Sequence, residues 1–298
     1  MTLVATLIAN PARPAITDAV LAETRRVLAT GHQPRILHGE VAAEVLVPGA
    51  PESAPALAAR LRAALGDEPV DVAVLPAGAH RRKRLFLADM DSTMIGQECI
   101  DELADTIGLK DRVAAITERA MRGEVAFEPA LRERVALLKG LALETVAAVI
   151  EERITLNPGG RTLVRTMRAH GAHTVLVSGG FTLFTGPVAE RIGFHEHRAN
   201  RLIVAEGRLT GAVEEPIVGR DAKRETLVAL RERLGLDAAE TLAVGDGAND
   251  LAMLAEAGLG VAYRAKPAVA ATARARVEHG DLTALLYLQG YAAAEFVD

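Results

Sequence analysis

The sequence predicts an α/β protein in two unequal parts: a small βαββαβ unit over residues 1–80, and a larger unit over 81–298 built on a buried parallel sheet with a helical insertion at about 96–155. Three observations carry this. Short strands and amphipathic helices alternate through the first part. In the second, the strands are nearly continuous apolar runs, as in parallel sheets covered on both faces. Between the first such run and Asn157, helical periodicity continues with no strand candidate.

Bulk properties are consistent with this division. The chain has 298 residues and is 50% hydrophobic, enough for two cores. A net charge of −5 with interspersed signs provides no basic stripe to neutralise a phosphate backbone, so nucleic acid is not an expected partner. A single cysteine, Cys99, forms no intramolecular disulfide and suits a reducing cytosol. Neither a secretory signal nor a bilayer-length apolar run is read in the sequence, so a cytoplasmic protein without a membrane partner is expected.

The first strand is read at Leu3 to Ile8, followed by a loop around Pro11 and Pro14. A helix follows, with Val20, Thr24, Val27 and Leu28 at helical spacing and Gly31 where a left-handed stop belongs. Strands are read at Arg35 to His38 and Ala43 to Val47. The next helix has Ser53 before it, Pro55 in its first turn, and Leu57, Leu61 and Leu65 on one face. Alternating Val70, Val72 and Val74 form the last strand. This order resembles the ferredoxin-like sandwich of ACT domains, which accompany many amino-acid-metabolic enzymes. The resemblance is one of pattern, and dimer contacts or feedback are the expected roles of this unit. Ala77 to Arg84, with the basic run Arg81-Arg82-Lys83-Arg84, reads as a solvated linker.

In the larger part the apolar runs Leu85 to Ala88, Thr174 to Val177 and Thr241 to Val244 each end in a polar or glycine-rich turn. Open parallel sheets bind ligands outside the carboxyl ends of their strands. The insertion carries Leu103, Ile107, Val113, Ile116, Met121, Leu131, Val135, Leu138 and Val146 at helical spacing, and Arg201 to Val213 reads as a hairpin on the core.

The first run delivers Asp89-Met90-Asp91-Ser92-Thr93. Its two carboxylates, spaced i, i+2, leave an extended chain on one side and can share a substrate, although aspartates before Ser-Thr also cap helices. The second delivers Ser178-Gly179-Gly180, a hydroxyl with unobstructed N–H groups suited to phosphate oxygens, or an ordinary tight turn. Leu176 occupies the position where a serine-hydrolase elbow needs glycine, so Ser178 is not read as a nucleophile. Lys223 opens a helical run. The third delivers Gly245-Asp246-Gly247-Ala248-Asn249-Asp250, an acidic loop suited to a hard cation with oxygen ligands, magnesium rather than a calcium cage.

Together and in this order, the four signals resemble the motif set of the haloacid dehalogenase superfamily, and their wording is similar to its phosphoserine phosphatase branch. The resemblance spans about residues 85–288 and departs from the pattern at Met90, where phenylalanine is usual. It implies a Rossmann-like core with a helical cap and a magnesium-dependent enzyme that hydrolyses O-phosphoserine through an aspartyl-phosphate. Asp89 would be the nucleophile and Asp91 the general acid and base. Asp89, Asp91 through its backbone carbonyl, and Asp246 would hold Mg²⁺, supported by Asp250. Lys223, Ser178, Gly179 and Asn249 would bind phosphate. In the cap, Arg134 would take the α-carboxylate and Glu98 the ammonium, with Met121 and Phe127 closing over the side chain; Glu98 and Arg134 also admit a plain ion-pair reading. Bringing a carboxylate to a phosphate dianion is opposed by roughly 4 kcal/mol per like-charge pair at 4 Å and an effective dielectric near 20, so cations are obligatory. The motifs leave open another small phosphomonoester, phosphoryl transfer to an alcohol, and a serine-sensing protein with an inert core.

Overall fold

The computed structural model describes all residues except Met1, Pro51, Ala79, Arg122 and Gly123, and of Met121 it describes the backbone alone. The chain opens with β1 (Leu3–Ile8), α1 (Asp18–Leu28), β2 (Arg35–His38), β3 (Ala42–Val47), α2 (Ala54–Leu65) and β4 (Asp71–Pro76). These strands form an antiparallel sheet in the order β2-β3-β1-β4. Both helices start at hydroxyl caps: Thr17 Oγ1 accepts the Val20 N–H and Ser53 Oγ the Ala56 N–H. The first helix ends on a left-handed Ala29 (φ 48°), and Gly31 has no positive φ, so the stop comes two residues before the expected glycine.

Strand alternation assigns the two sheet faces different neighbours. Leu3, Ala5, Leu7, Val45, Val72 and Val74 pack with Val20, Leu57 and Leu61 of the helices. From the other face Ile8, Leu37, Ala42 and Ala73 join the apolar cluster of the larger part, against Leu285, Tyr287 and Tyr291. Polar contacts cross the same boundary. The Asp71 carboxylate accepts the N–H groups of Glu278 at 2.8 Å, His279 at 3.2 Å and Gly280 at 2.8 Å, and Asn10 Nδ2 donates to the His279 carbonyl at 3.0 Å. The basic run is docked in part: Arg82 and Arg84 are exposed as expected, while Arg81 and Lys83 are half-buried. Arg81 pairs with buried Glu44, Arg82 lies over the Tyr291 ring at 4.0 Å, and Lys83 donates to two carbonyls.

The larger part continues with β5 (Leu85–Ala88), then α3 (Cys99–Asp105), α4 (Lys110–Met121), α5 (Phe127–Leu137) and α6 (Leu143–Glu152). It returns through α7 (Gly160–Ala169), β6 (His173–Phe181), α8 (Thr182–Ile192), β7 (Glu196–Asn200), β8 (Leu202–Ala205) and β9 (Arg208–Val213). The chain closes with α9 (Arg220–Arg233), β10 (Thr241–Gly245), α10 (Leu251–Glu256), β11 (Leu259–Tyr263), α11 (Pro267–Ala270), β12 (Ala275–Val277) and α12 (Ala284–Leu288). Six strands form a parallel sheet in the order β12-β11-β10-β5-β6-β7. The run β5 is fully buried between β10 and β6, so the three expected strand ends are neighbours.

Helices α3–α6 stand as a cap above these ends. The hairpin β8–β9 belongs with the cap, not the core as expected: the Gly140 N–H donates to the Leu209 carbonyl and the Leu143 N–H to that of Gly207. Leu202 and Leu209 are its buried pair, while Ile203 and Val204 face solvent. Among the described residues, no helix is long and apolar enough to cross a membrane.

Candidate active site

The chain leaves β5 at Asp89 and turns sharply, with the Ile95 N–H reaching back to the Met90 carbonyl and Ser92 left-handed at φ 55°. Met90 points into the core and is fully buried. Asn157 pins the turn from outside, its Nδ2 donating to the Thr93 carbonyl at 2.8 Å and that of Ile95 at 3.1 Å. The two aspartates diverge in partners. Asp89 Oδ1 accepts the Met90 N–H at 2.8 Å and lies 2.7 Å from Lys223 Nζ. Asp91 Oδ1 accepts the Cys99 N–H at 3.0 Å, from the first residue of the cap, and Oδ2 accepts the Ser178 hydroxyl at 3.3 Å.

Lys223, near the start of α9, is 1% exposed and bridges Asp89 and Asp250, each at 2.7 Å. A buried lysine between two carboxylates is a paired charge, where a lone one would neutralise. Burial works against its ammonium, but Asp250 and Asp89 more than offset this and raise its pKa. Asp250 Oδ2 in turn accepts the Gly247 N–H at 3.1 Å, closing the acidic loop. A Cβ at Gly245 would lie 2.3 Å from the Asp250 carboxyl carbon, so only glycine admits this approach. Asp246 accepts the Thr93 hydroxyl at 3.2 Å.

Oxygens of Asp89, Asp246 and Asp250 lie within 4.8 Å of one another. Three convergent carboxylates with no nitrogen or sulfur donor among them fit a hard cation. Asp91 contributes no carboxylate to this cluster, since both its oxygens are engaged elsewhere. Burial is the first cause of a raised pKa at Asp89, reinforced by the Asp250 charge and opposed by Lys223. Burial likewise raises Asp91, with the Cys99 hydrogen bonds opposing, and Asp246, with the Asp250 charge reinforcing.

Ser178 and its two glycines lie within the last part of β6, across a break in its register with β7, and not in a turn after the strand as expected; Ser178 is 1% exposed and its oxygen accepts the Gly180 N–H at 2.8 Å. Half-buried Gly179 lies beneath Phe127, whose ring would be 3.5 Å from a Cβ there and equally close to one at Gly219. Thus Phe127, the first residue of α5, overhangs the serine-glycine segment of β6. Asn249 is half-buried on the acidic loop.

At the mouth, Glu98 accepts the Ser92 hydroxyl at 2.8 Å. Its own surface is open to solvent, yet the desolvating cleft walls and then the Asp91 charge push its pKa up to about 7. Arg134 is half-buried on α5 and donates to the Ala130 carbonyl and Thr117 Oγ1, each at 3.3 Å. Glu98 and Arg134 form no ion pair with each other among the described residues. The Met121 side chain lies outside the described residues.

Comparison with known proteins places this geometry. A family model of haloacid dehalogenase-like hydrolases matches residues 86–255. A phosphoserine phosphatase of Streptomyces coelicolor is 46% identical over 78% of this chain and 56% of its own length, so the chain spans about half of that relative. A solved phosphoserine phosphatase, an analogue of its phospho-aspartyl intermediate, is 40% identical over 69% of this chain and 98% of its own, with a TM-score of 0.64. The chain belongs to the phosphoserine phosphatase family of haloacid dehalogenase-like hydrolases. Its likeness to this superfamily includes the N-terminal sheet. A haloacid dehalogenase family hydrolase from Salmonella enterica serovar Typhi superposes over 96% of this chain and 98% of its own at 28% identity, with a TM-score of 0.86.

Two polar residues that sequence reasoning passed over also shape this phosphatase-family site. Asn200, 2% exposed at the end of β7, donates to the Gly179 carbonyl at 2.8 Å and the Val218 carbonyl at 3.2 Å, and accepts the Val218 N–H at 2.7 Å. It ties the serine-glycine segment of β6 to the loop that leads into α9 and Lys223. Thr117 holds Arg134 from the neighbouring cap helix.

Proposed function

We propose that this protein hydrolyses O-phosphoserine to serine and phosphate through an aspartyl-phosphate at Asp89, with Mg²⁺, in the cytoplasmic synthesis of serine. The observation that carries this reading is the buried Asp89–Lys223–Asp250 bridge, set beside Asp91 and Ser178 at adjacent parallel strand ends. Asp89 would attack phosphorus in line as the serine oxygen leaves. Lys223 orients the Asp89 carboxylate and neutralises phosphate charge; Ser178, Gly179 and Asn249 offer hydrogen bonds to its oxygens. Mg²⁺ would be held by Asp89, Asp246 and the Asp91 backbone carbonyl, with Asp250 in support, and would supply charge neutralisation and orientation of the phosphoryl group.

Asp91 has the environment of a group that carries a proton at the start. Burial favours its neutral form, which can donate to the departing serine oxygen. The resulting carboxylate then takes a proton from the water that cleaves the aspartyl-phosphate. In the cap, the Arg134 fork would pair with the substrate α-carboxylate and Glu98 with its ammonium, while Phe127 and Met121 close the chamber.

We read residues 1–80 as an ACT-like domain and 81–298 as the phosphatase core with its cap at about 96–155. The βαββαβ order and the β2-β3-β1-β4 sheet support the first reading. A homodimer through the N-terminal domain belongs to the same proposal, and a monomer mass in light scattering would remove it.

The deciding test measures phosphate release from O-phosphoserine with Mg²⁺, with a chelator, and in an Asp89→Asn variant. Release should require Mg²⁺ and fall by at least about 10³ in the variant, the scale of loss when a nucleophile is removed. Turnover that survives the substitution overturns the assignment. A panel of other small phosphomonoesters turned over faster than phosphoserine overturns the substrate.

A further inference from the structure

Away from the strand-end site, a cavity of about 910 Å³ lies between the N-terminal sheet and the parallel sheet. That volume is in the upper part of the range typical of small-molecule sites, roughly 300–1,000 Å³. None of Asp89, Asp91, Lys223, Asp246 or Asp250 lines it. Two edge strands, β4 of one sheet and β12 of the other, border it, so backbone groups unpaired on their outer side are available along its walls. Small side chains from α2, the turn before β10 and the α11–β12 connection leave its volume open.

The charged lining is mostly basic. Among the described residues, Lys83 Nζ donates to carbonyls alone, of His80 at 2.7 Å and Ala239 at 2.6 Å. Arg274 donates to the Gly258 carbonyl at 3.1 Å, and Arg62 to that of Val72 at 3.0 Å. The single carboxylate on the lining, Glu256, is already paired with Arg231 at 2.7 Å. Arg81 and Arg276, also on the lining, are paired with Glu44 and Glu278, but among the described residues Lys83, Arg274 and Arg62 face this partly apolar chamber with carbonyl partners and no carboxylate at ion-pair distance. The cost shows in the protonation of two of them, Lys83 and Arg62. Burial, and then the Arg274 charge, push Lys83 down to about 8. Burial and then Arg276 lower Arg62. An anion seated here would relieve both effects.

We propose that this cavity is a binding site, separate from the phosphatase centre, for a small organic anion with an apolar body, its acid group held by Lys83 and Arg274. The apolar body would lie on Ala58, Val74 and Leu259, with Arg62 on the far wall. Lys83 comes from the basic run between the two sheets and Arg274 from the edge of the core, so the ligand would touch both parts of the chain.

Isothermal titration with naphthalene-1-sulfonate tests this on the full chain, with saturating Mg²⁺ and inorganic phosphate occupying the catalytic site. The expected result is saturable one-to-one binding that phosphate leaves unchanged. Lys83→Met and the exposed-site Arg274→Glu should each weaken it by at least about tenfold, the loss of one charge-assisted contact. Circular dichroism and phosphate release should be unchanged in Arg274→Glu, which keeps the test valid if Lys83→Met destabilises the chain. No saturable heat, binding unaffected by Arg274→Glu, or displacement by phosphate each overturns the site. The readout is heat, so failure of phosphoserine turnover and failure of this site are distinguishable.

Discussion

At the scale of single residues, the site is a set of carboxylates whose neighbours, more than their sequence spacing, give them different surroundings. Asp89 faces a lysine while Asp91, two residues on, faces a hydroxyl and a backbone N–H. Glu98 is the residue whose titration can be followed. Its pKa stands near 7 against an ordinary 4.5, so between those values the folded chain binds more protons there than the unfolded chain. Stability then falls as pH rises through that window. Glu98→Gln should flatten this slope in metal-free protein, read from urea midpoints across about pH 4.5–7; an unchanged slope would show that Glu98 does not titrate there. The residues visible in the sequence are those carried by short strings: Asp89-Met90-Asp91, Ser178-Gly179-Gly180 and Gly245 to Asp250. Asn200 and Thr117 are invisible there because each is one polar residue whose partners are distant in sequence.

At the scale of elements, the strands adjoining the site were legible and the edge strands less so. The runs Leu85–Ala88 and Thr241–Gly245 are buried on both faces and therefore apolar throughout. β7 reads Glu-His-Arg-Ala-Asn, half-exposed at the sheet edge, and β12 is three residues long, so neither carries a distinct pattern. The hairpin was legible but its address was not, because Leu202 and Leu209 mark a buried face without saying what buries it. Asn200 gives the element-level prediction, since it joins the strand segment and the loop that present Ser178, Gly179 and Lys223. Asn200→Ala should lower unfolding free energy by about 1–3 kcal/mol, the cost of leaving buried donors and acceptors unpaired. It should also lower kcat/KM for phosphoserine; an unchanged denaturation midpoint would show that the two segments hold without it.

For the whole molecule, the N-terminal sheet and the parallel sheet share one apolar cluster and a hydrogen-bonded seam at Asp71. Replacing Asp71 by alanine removes an acceptor used by three N–H groups, and the stability loss should be about 2–4 kcal/mol, given roughly 1–3 kcal/mol per orphaned buried group. The N-terminal sheet should then lose its cooperativity with the core, seen as a second transition in calorimetry; a single unchanged transition would count against the seam. The βαββαβ order was readable from residues 1–80, but the use of its second face was not, because Ile8, Leu37 and Ala73 look the same whether they face a helix or a neighbouring unit. The central place of β5 has a consequence for synthesis. The N-terminal sheet can close as soon as Pro76 clears the ribosome, whereas Leu85–Ala88 emerges next and has no complete set of neighbours until Gly245 has been translated. Over that interval the nascent polypeptide thus carries a wholly oily strand with at least one side unpaired, leading into Asp89, and this is where holdase protection would matter most.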